Sequence, residues 1–203
     1  MTCHVNKEDA WLACAPKTCC YAALVVPSGR DVWRIASTTG VPAWSFLRYF
    51  PSPSSRPDTF RLDQGDQTYR LALSKQQPLK KASPAPCIFL LRLRGGQHRC
   101  SLGQLRPASC RAFPSELVDR VLCVRNDAGC TCRVWTLADV DLADEAALVA
   151  ERQAEAVEYH DVVSRWNATV SASAPGTAFD FLGYCDFVVA AYATPAAGCE
   201  IGP

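Results

Sequence analysis

Cys14, Cys19 and Cys20 fall within seven residues, and the last two are adjacent. A second set answers them: Cys87, Cys100, and Cys110 inside Arg106-Pro107-Ala108-Ser109-Cys110-Arg111-Ala112-Phe113-Pro114. Thiolate is the soft donor taken by zinc and by iron–sulfur clusters. A site of that kind draws some ligands from one tight turn and the rest from distant segments. These six cysteines are therefore the expected metal ligands.

The chain has 203 residues and twelve cysteines. Disulfide-stapled secreted domains and metal proteins are the two classes with such a content. The first ten residues, MTCHVNKEDA, have no basic region followed by an apolar run, so no signal peptide is expected. No stretch approaches ~18 uninterrupted apolar residues, so no membrane-spanning helix is expected. A cytoplasmic protein follows as the expectation, its thiols reduced unless metal takes them. The adjacent pair supports metal over disulfide, because neighbouring cysteines rarely bond each other.

Charge narrows the partners. With 21 basic and 20 acidic residues the net charge is +1, and nothing calls for nucleic acid or an anionic membrane. A protein or peptide partner is the remaining expectation, and the sequence sets no oligomeric state. Four thiolates on a divalent zinc leave a net charge of about −2, which a partly buried site must offset. Arg99, Arg106 and Arg111 lie close in sequence to the expected ligands and are the candidates to do so.

The remaining thiols and imidazoles have weaker claims. Cys123, Cys130 and Cys132 form a second site, complete the first, or are incidental thiols. Cys185 lies in an apolar helix and reads as core; Cys199 reads as a free thiol in a small-residue tail. His98 stands two residues before Cys100, on the same strand face. It reads as a hairpin histidine, with a ligand or proton-donor role as the alternative. His4 has no companion pattern, and His160 reads as structural. There is no phosphate-binding glycine loop, no Gly-x-Ser-x-Gly and no zinc-protease histidine pair, and no catalytic residue is assigned.

Several elements must position these residues. Residues 1–20 read as irregular, Pro16 opposing a helix through the first cluster. Residues 21–26 read as extended. A helix over 30–38, capped by Ser28 and closed by Gly40, presents Val32, Ile35 and Ala36 on one side. A second helix is expected over 42–49, with Phe46, Leu47 and Phe50 inward, and residues 51–58 read as a loop. Short strands follow at 60–62 and 67–74, then a loop over 75–86. A strand over 87–93, a turn at Arg94-Gly95-Gly96-Gln97 and a return strand over 98–101 make a hairpin that places Cys87 and Cys100 on paired strands. A turn or short helix carries Cys110. Single strands are expected over 117–124 and 130–135. A long helix spans 142–170, and a last one spans 179–193.

The two cysteine stretches with these flanks resemble the YkgJ-like cysteine-cluster family, whose members are described as zinc- or iron-chelating. The resemblance rests on the adjacent pair Cys19-Cys20, the segment Val25 to Ala36, and Trp44-Ser45-Phe46-Leu47-Arg48-Tyr49. It rests further on Cys87-Ile88-Phe89-Leu90, a glycine-bearing turn, Cys100, and Arg106 to Pro114. It covers roughly residues 11–115, and Tyr159 to Asn167 resembles a C-terminal helix of some members. The family's first cluster has four cysteines; here Cys3, eleven residues before Cys14, is the candidate for the missing one. The resemblance implies a zinc ion or a four-iron cluster (4Fe-4S) and no particular reaction.

The expected fold is α+β: a small antiparallel sheet and helices stapled by a cysteine-ligated metal centre, with C-terminal helices. Residues 1–138 form the metal-binding domain and 139–203 a helical segment. The expected function is metal binding through cysteine. The alternative is an iron–sulfur or iron-dependent enzyme that modifies a peptide or protein.

Overall fold

The computed structural model describes residues 7–14, 18–77, 85–125 and 134–193. Cys3, His4, Cys130, Cys132 and Cys199 lie outside them, as do residues 130–133 of the strand expected over 130–135; residues 134–135 are not in a strand. The described chain is mixed α and β, with three two-stranded pairings and two C-terminal helices. No described helix is long and apolar enough to cross a membrane.

Compactness divides the described chain into two units, each built from two stretches. The first lies within Met1–Pro27 and Ala72–Ala154, the second within Ser28–Leu71 and Glu155–Pro203. A cut near residue 138 is not among these divisions. The long C-terminal helix runs through Ala154 without a break, so one continuous helix supplies residues to both units.

In the first unit, α1 is Lys7–Ala13 and α2 is Thr18–Ala22. Both fall where an irregular chain was expected. The described residues of α2 begin at Thr18, past Pro16 in the sequence. Residues 23–27 are non-helical, and Val25 accepts from Leu73 N–H at 2.9 Å. The hairpin of β3 (Leu90–Arg92) and β4 (His98–Cys100) is antiparallel, with Leu90 opposite Cys100 and Arg92 opposite His98. Gly95 turns it at φ 80°, a conformation that favours glycine. Cys87 is not on the paired strands: it lies three residues before β3, in an isolated bridge with Lys75. Leu90 N–H bonds back to Cys87 O at 3.0 Å, closing a turn where a continuous strand was expected.

Helix α5 (Ala108–Arg111) carries Cys110 after a one-turn 3-10 segment at Gly103–Leu105. The apolar run over 117–124 is no single strand. It folds as a hairpin of β5 (Ser115–Val118) and β6 (Val121–Val124). Its two turn residues, Asp119 and Arg120, both have positive φ, 50° and 66°. That is the turn whose twist matches a hairpin, here made without the glycine or asparagine that usually announces it. Helix α6 (Leu142–Ala172) starts where Asp141 accepts from the N–H groups of Ala143 and Asp144. In its first turn buried Glu145 pairs with Lys7 of α1, whose ammonium also donates to Arg111 O at 2.6 Å.

The second unit begins with α3 (Gly29–Thr39). Ser28 and Asp31 form a reciprocal capping box, and Gly40 ends the helix in the left-handed region. Val32 and Ile35 are fully buried on the expected face. Helix α4 (Ala43–Phe46) is one turn, shorter than the sequence suggests, and gives way to β1 (Leu47–Pro51), which pairs with β2 (Tyr69–Leu73). Tyr49 and Phe50 suit a pleated surface, and pairing with β2 overrides their helical spacing. The extended segment at 59–61 is clamped by α6: Asn167 accepts from Arg61 N–H at 2.9 Å and donates to Thr59 O at 2.9 Å. Helix α7 (Phe181–Ala193) packs on α3 and α4. Its Tyr184 stacks on Phe60, ring centroids 3.8 Å apart. Charge is buried here too: Asp31 and Glu155 share Arg34, and Ser28 donates to Glu155 at 2.6 Å.

Candidate metal centre

The sequence-expected ligands belong to the first unit, and five of them are free thiols there: Cys19, Cys20, Cys87, Cys100 and Cys110. They come from α2, the turn before β3, the end of β4, and α5. What joins these segments is largely backbone bonding. Cys87 N–H donates to Cys20 O at 2.8 Å, and Ile88 N–H donates to Ser74 O at 2.9 Å. Gln76 Nε2 donates to the carbonyls of Cys87, Ile88 and Leu90 at 3.2, 3.2 and 2.7 Å. Ser101 N–H bonds to Phe89 O at 2.8 Å, tying the Cys100 end of the hairpin to the Cys87 turn.

The thiols feel one another. Cys20 donates to Cys19, and this, with burial and the nearby Cys19, Cys110 and Cys87, pushes its pKa far up. The same bond is the main reason that Cys19 is drawn down to about 6. Burial opposes that shift; the N–H of Cys20, the Trp11 indole and the N–H of Cys19 add to it. The direction of the shift favours the thiolate at Cys19. Burial raises Cys87, against a backbone bond and the positive charge of Lys75. Burial also raises Cys100, with Cys87 adding to the rise and Arg106 opposing it.

The other expected residues sort as follows. Cys14 directly follows α1 and carries a disulfide, so it is not a free thiol in this structure. Cys123 lies on β6 opposite Glu116, half-buried and free. Cys185 is fully buried on α7 of the second unit, its pKa pushed up to about 12 by burial. Arg106 lies over the Trp11 ring, 5.2 Å from its centroid, and its charge reaches Cys100. Arg111 makes a two-pronged pair with Glu151 at 2.9 and 2.8 Å, and its Nε donates to Arg106 O. Arg99 is exposed and alternates to the strand face opposite His98 and Cys100. His98 is half-buried, edge-on to Tyr21, and its Nδ1 has no hydrogen-bond partner. His160 is half-buried on α6 in the second unit.

Lys75, Gln76 and Trp11 were not foreseen. Their spacing carries no motif, and each acts on a residue distant in sequence or through a backbone carbonyl that any residue supplies.

The donor chemistry suits zinc or an iron–sulfur cluster, since all five free groups are thiols. Among the described residues no three His, Cys, Asp or Glu side chains converge at metal-holding spacing. Protein-family models, curated proteins and solved structures yield no match to this chain.

Proposed function

We propose that this chain binds zinc or an iron–sulfur cluster through Cys19, Cys20, Cys87, Cys100 and Cys110, as a protein of the YkgJ-like kind. The observation that supports the reading most is the gathering of five free thiols from four separate segments of one unit. Their mutual charge effects link Cys20 to Cys19, Cys87 and Cys110, and Cys87 to Cys100. Such a set of soft donors is better satisfied by a metal than by protons alone, because bound metal stabilises several thiolates at once. In this reading the centre staples the first unit.

Elemental analysis of anaerobically purified full chain tests the proposal, with Cys19→Ser and Cys110→Ser beside it. The wild type is expected to carry zinc, or iron with sulfide and absorbance near about 400 nm from cluster charge transfer. Both variants are expected to lose most of it. Metal-free wild type, or full metal content in both variants, overturns the proposal.

A further inference from the structure

Lys75 is the least anticipated residue of this region. Its ammonium donates to three backbone carbonyls: Cys20 O at 3.2 Å, Tyr21 O at 3.1 Å and Ala23 O at 2.8 Å. An ammonium has three N–H donors, enough to serve all three carbonyls. They lie at and just past the C-terminal end of α2, where carbonyls lack helical partners and the backbone dipole favours a cation. Lys75 also forms the isolated bridge with Cys87, whose N–H in turn binds Cys20 O. One residue thus bonds to the segment bearing the adjacent cysteine pair and lies across from the next thiol of the set.

We propose that Lys75 is a positioning residue of the thiol site, a fixed positive charge that favours metal-bound thiolates while holding the Cys20 turn against the Cys87 turn. The proposal rests on the metal-binding reading and adds to it a residue that touches no metal itself. Two features support it. Its ammonium bonds to the carbonyl of Cys20 and its backbone bridges Cys87, so it joins the segments of two proposed ligands. Of the three arginines expected to offset the site's negative charge, Arg111 is engaged by Glu151 and Arg99 is exposed on the other strand face. Arg106 lies over the Trp11 ring, and Lys75 brings a positive charge to the Cys20–Cys87 side.

The test uses full-length protein, reduced and metal-free, titrated with zinc against a chromogenic chelator. Lys75→Met removes charge and donors, Lys75→Gln keeps donors without charge, and Lys75→Arg keeps charge without the threefold geometry. Circular dichroism of each metal-free variant gives folding separately from affinity. Lys75→Met is expected to weaken zinc binding about 10-fold or more, the scale on which groups behind the ligands act. Lys75→Gln is expected to weaken it similarly, and Lys75→Arg to recover most of the affinity. If Lys75→Met does not fold, the Gln and Arg variants decide. Wild-type affinity in the Gln variant, or an Arg variant as weak as Gln, overturns the role of Lys75 and leaves the metal reading standing. A wild type that takes up no zinc and no iron overturns the metal reading, and the role of Lys75 with it.

Discussion

The two units hold themselves together by different means. Of the eleven largest fully buried side chains among the described residues, ten belong to the second unit, including Phe46, Phe60, Leu71 and Tyr184; Val149 alone belongs to the first. Among the described residues the free thiols divide the other way, six of seven in the first unit and one, Cys185, in the second. Apolar burial contributes roughly 25 cal/mol per Å², and the first unit, which buries Leu73, Leu90, Leu102, Trp135 and Val140, draws less of it from large side chains sealed completely from water. Small folds in that position are commonly held by cross-links or metal. The lesson is that the cysteines sit where packing is thin. In the first unit the organising contacts are backbone bonds, lysine-to-carbonyl bonds and sulfur. In the second they are stacked rings, an Asn167 clamp and a buried ion-pair cluster.

Three measurements test this contrast. The largest effect is expected from Phe60→Ala in the second unit. Phe60 is fully buried against Tyr184, and its truncation should cost about 3–5 kcal/mol, read from urea unfolding. A loss below ~1 kcal/mol would mean that the ring stack is not the centre of that core.

An effect of intermediate size should come from Cys19 in the first unit. Its pKa of about 6 lies below the ordinary thiol value of 9.0, so its contribution to stability is full above pH 9 and is lost as pH falls toward 6. Cys20 is raised above that value, so its stabilising contribution is complete below pH 9 and lost only at higher pH. The reduced, metal-free protein should thus gain stability from pH 6 to 9, and Cys19→Ser should flatten that rise. Iodoacetamide at pH 7, followed by peptide mass analysis, should label Cys19 ahead of Cys87 and Cys100. Equal labelling, or an unchanged pH slope in the variant, would remove the thiolate from the comparison.

The smallest effect is expected from Ser28→Ala. It deletes the cap of α3, worth about 1 kcal/mol, along with the bond to buried Glu155. Thermal unfolding reads this loss directly. A value well above that of a lone cap would show that the Ser28–Glu155–Arg34 cluster acts as a unit, so that polar bonds also carry weight in the packed region.

Much of the helical framework was legible in advance, for local reasons. Ser28, Asp31 and Gly40 announce both ends of α3, because caps use residues within one turn. The long helix shows in the spacing of Val149, Tyr159, Val163 and Trp166, all of them buried. The Gly95-Gly96 turn fixes the β3–β4 hairpin. Elsewhere local pattern misled. Phe46 and Leu47 are buried as expected, yet the helix ends between them because β2 offers a pairing partner. The β5–β6 hairpin hid inside one apolar run because Asp119-Arg120 is not a residue pair that advertises a left-handed turn.

The candidate site divides in the same way. By itself the sequence determined the thiol inventory, the adjacency of Cys19 and Cys20, and the helix ends, since each depends only on residue type and short spacing. Tertiary structure alone decided that Cys87 faces Lys75 and not Cys100, that the Trp11 indole reaches Cys19, and that one ammonium binds three carbonyls. Lys75 finds those carbonyls across 52 to 55 residues of chain. Every residue has a carbonyl, so nothing in the side-chain pattern marks which ones will be left facing a cation until the fold has brought the segments together.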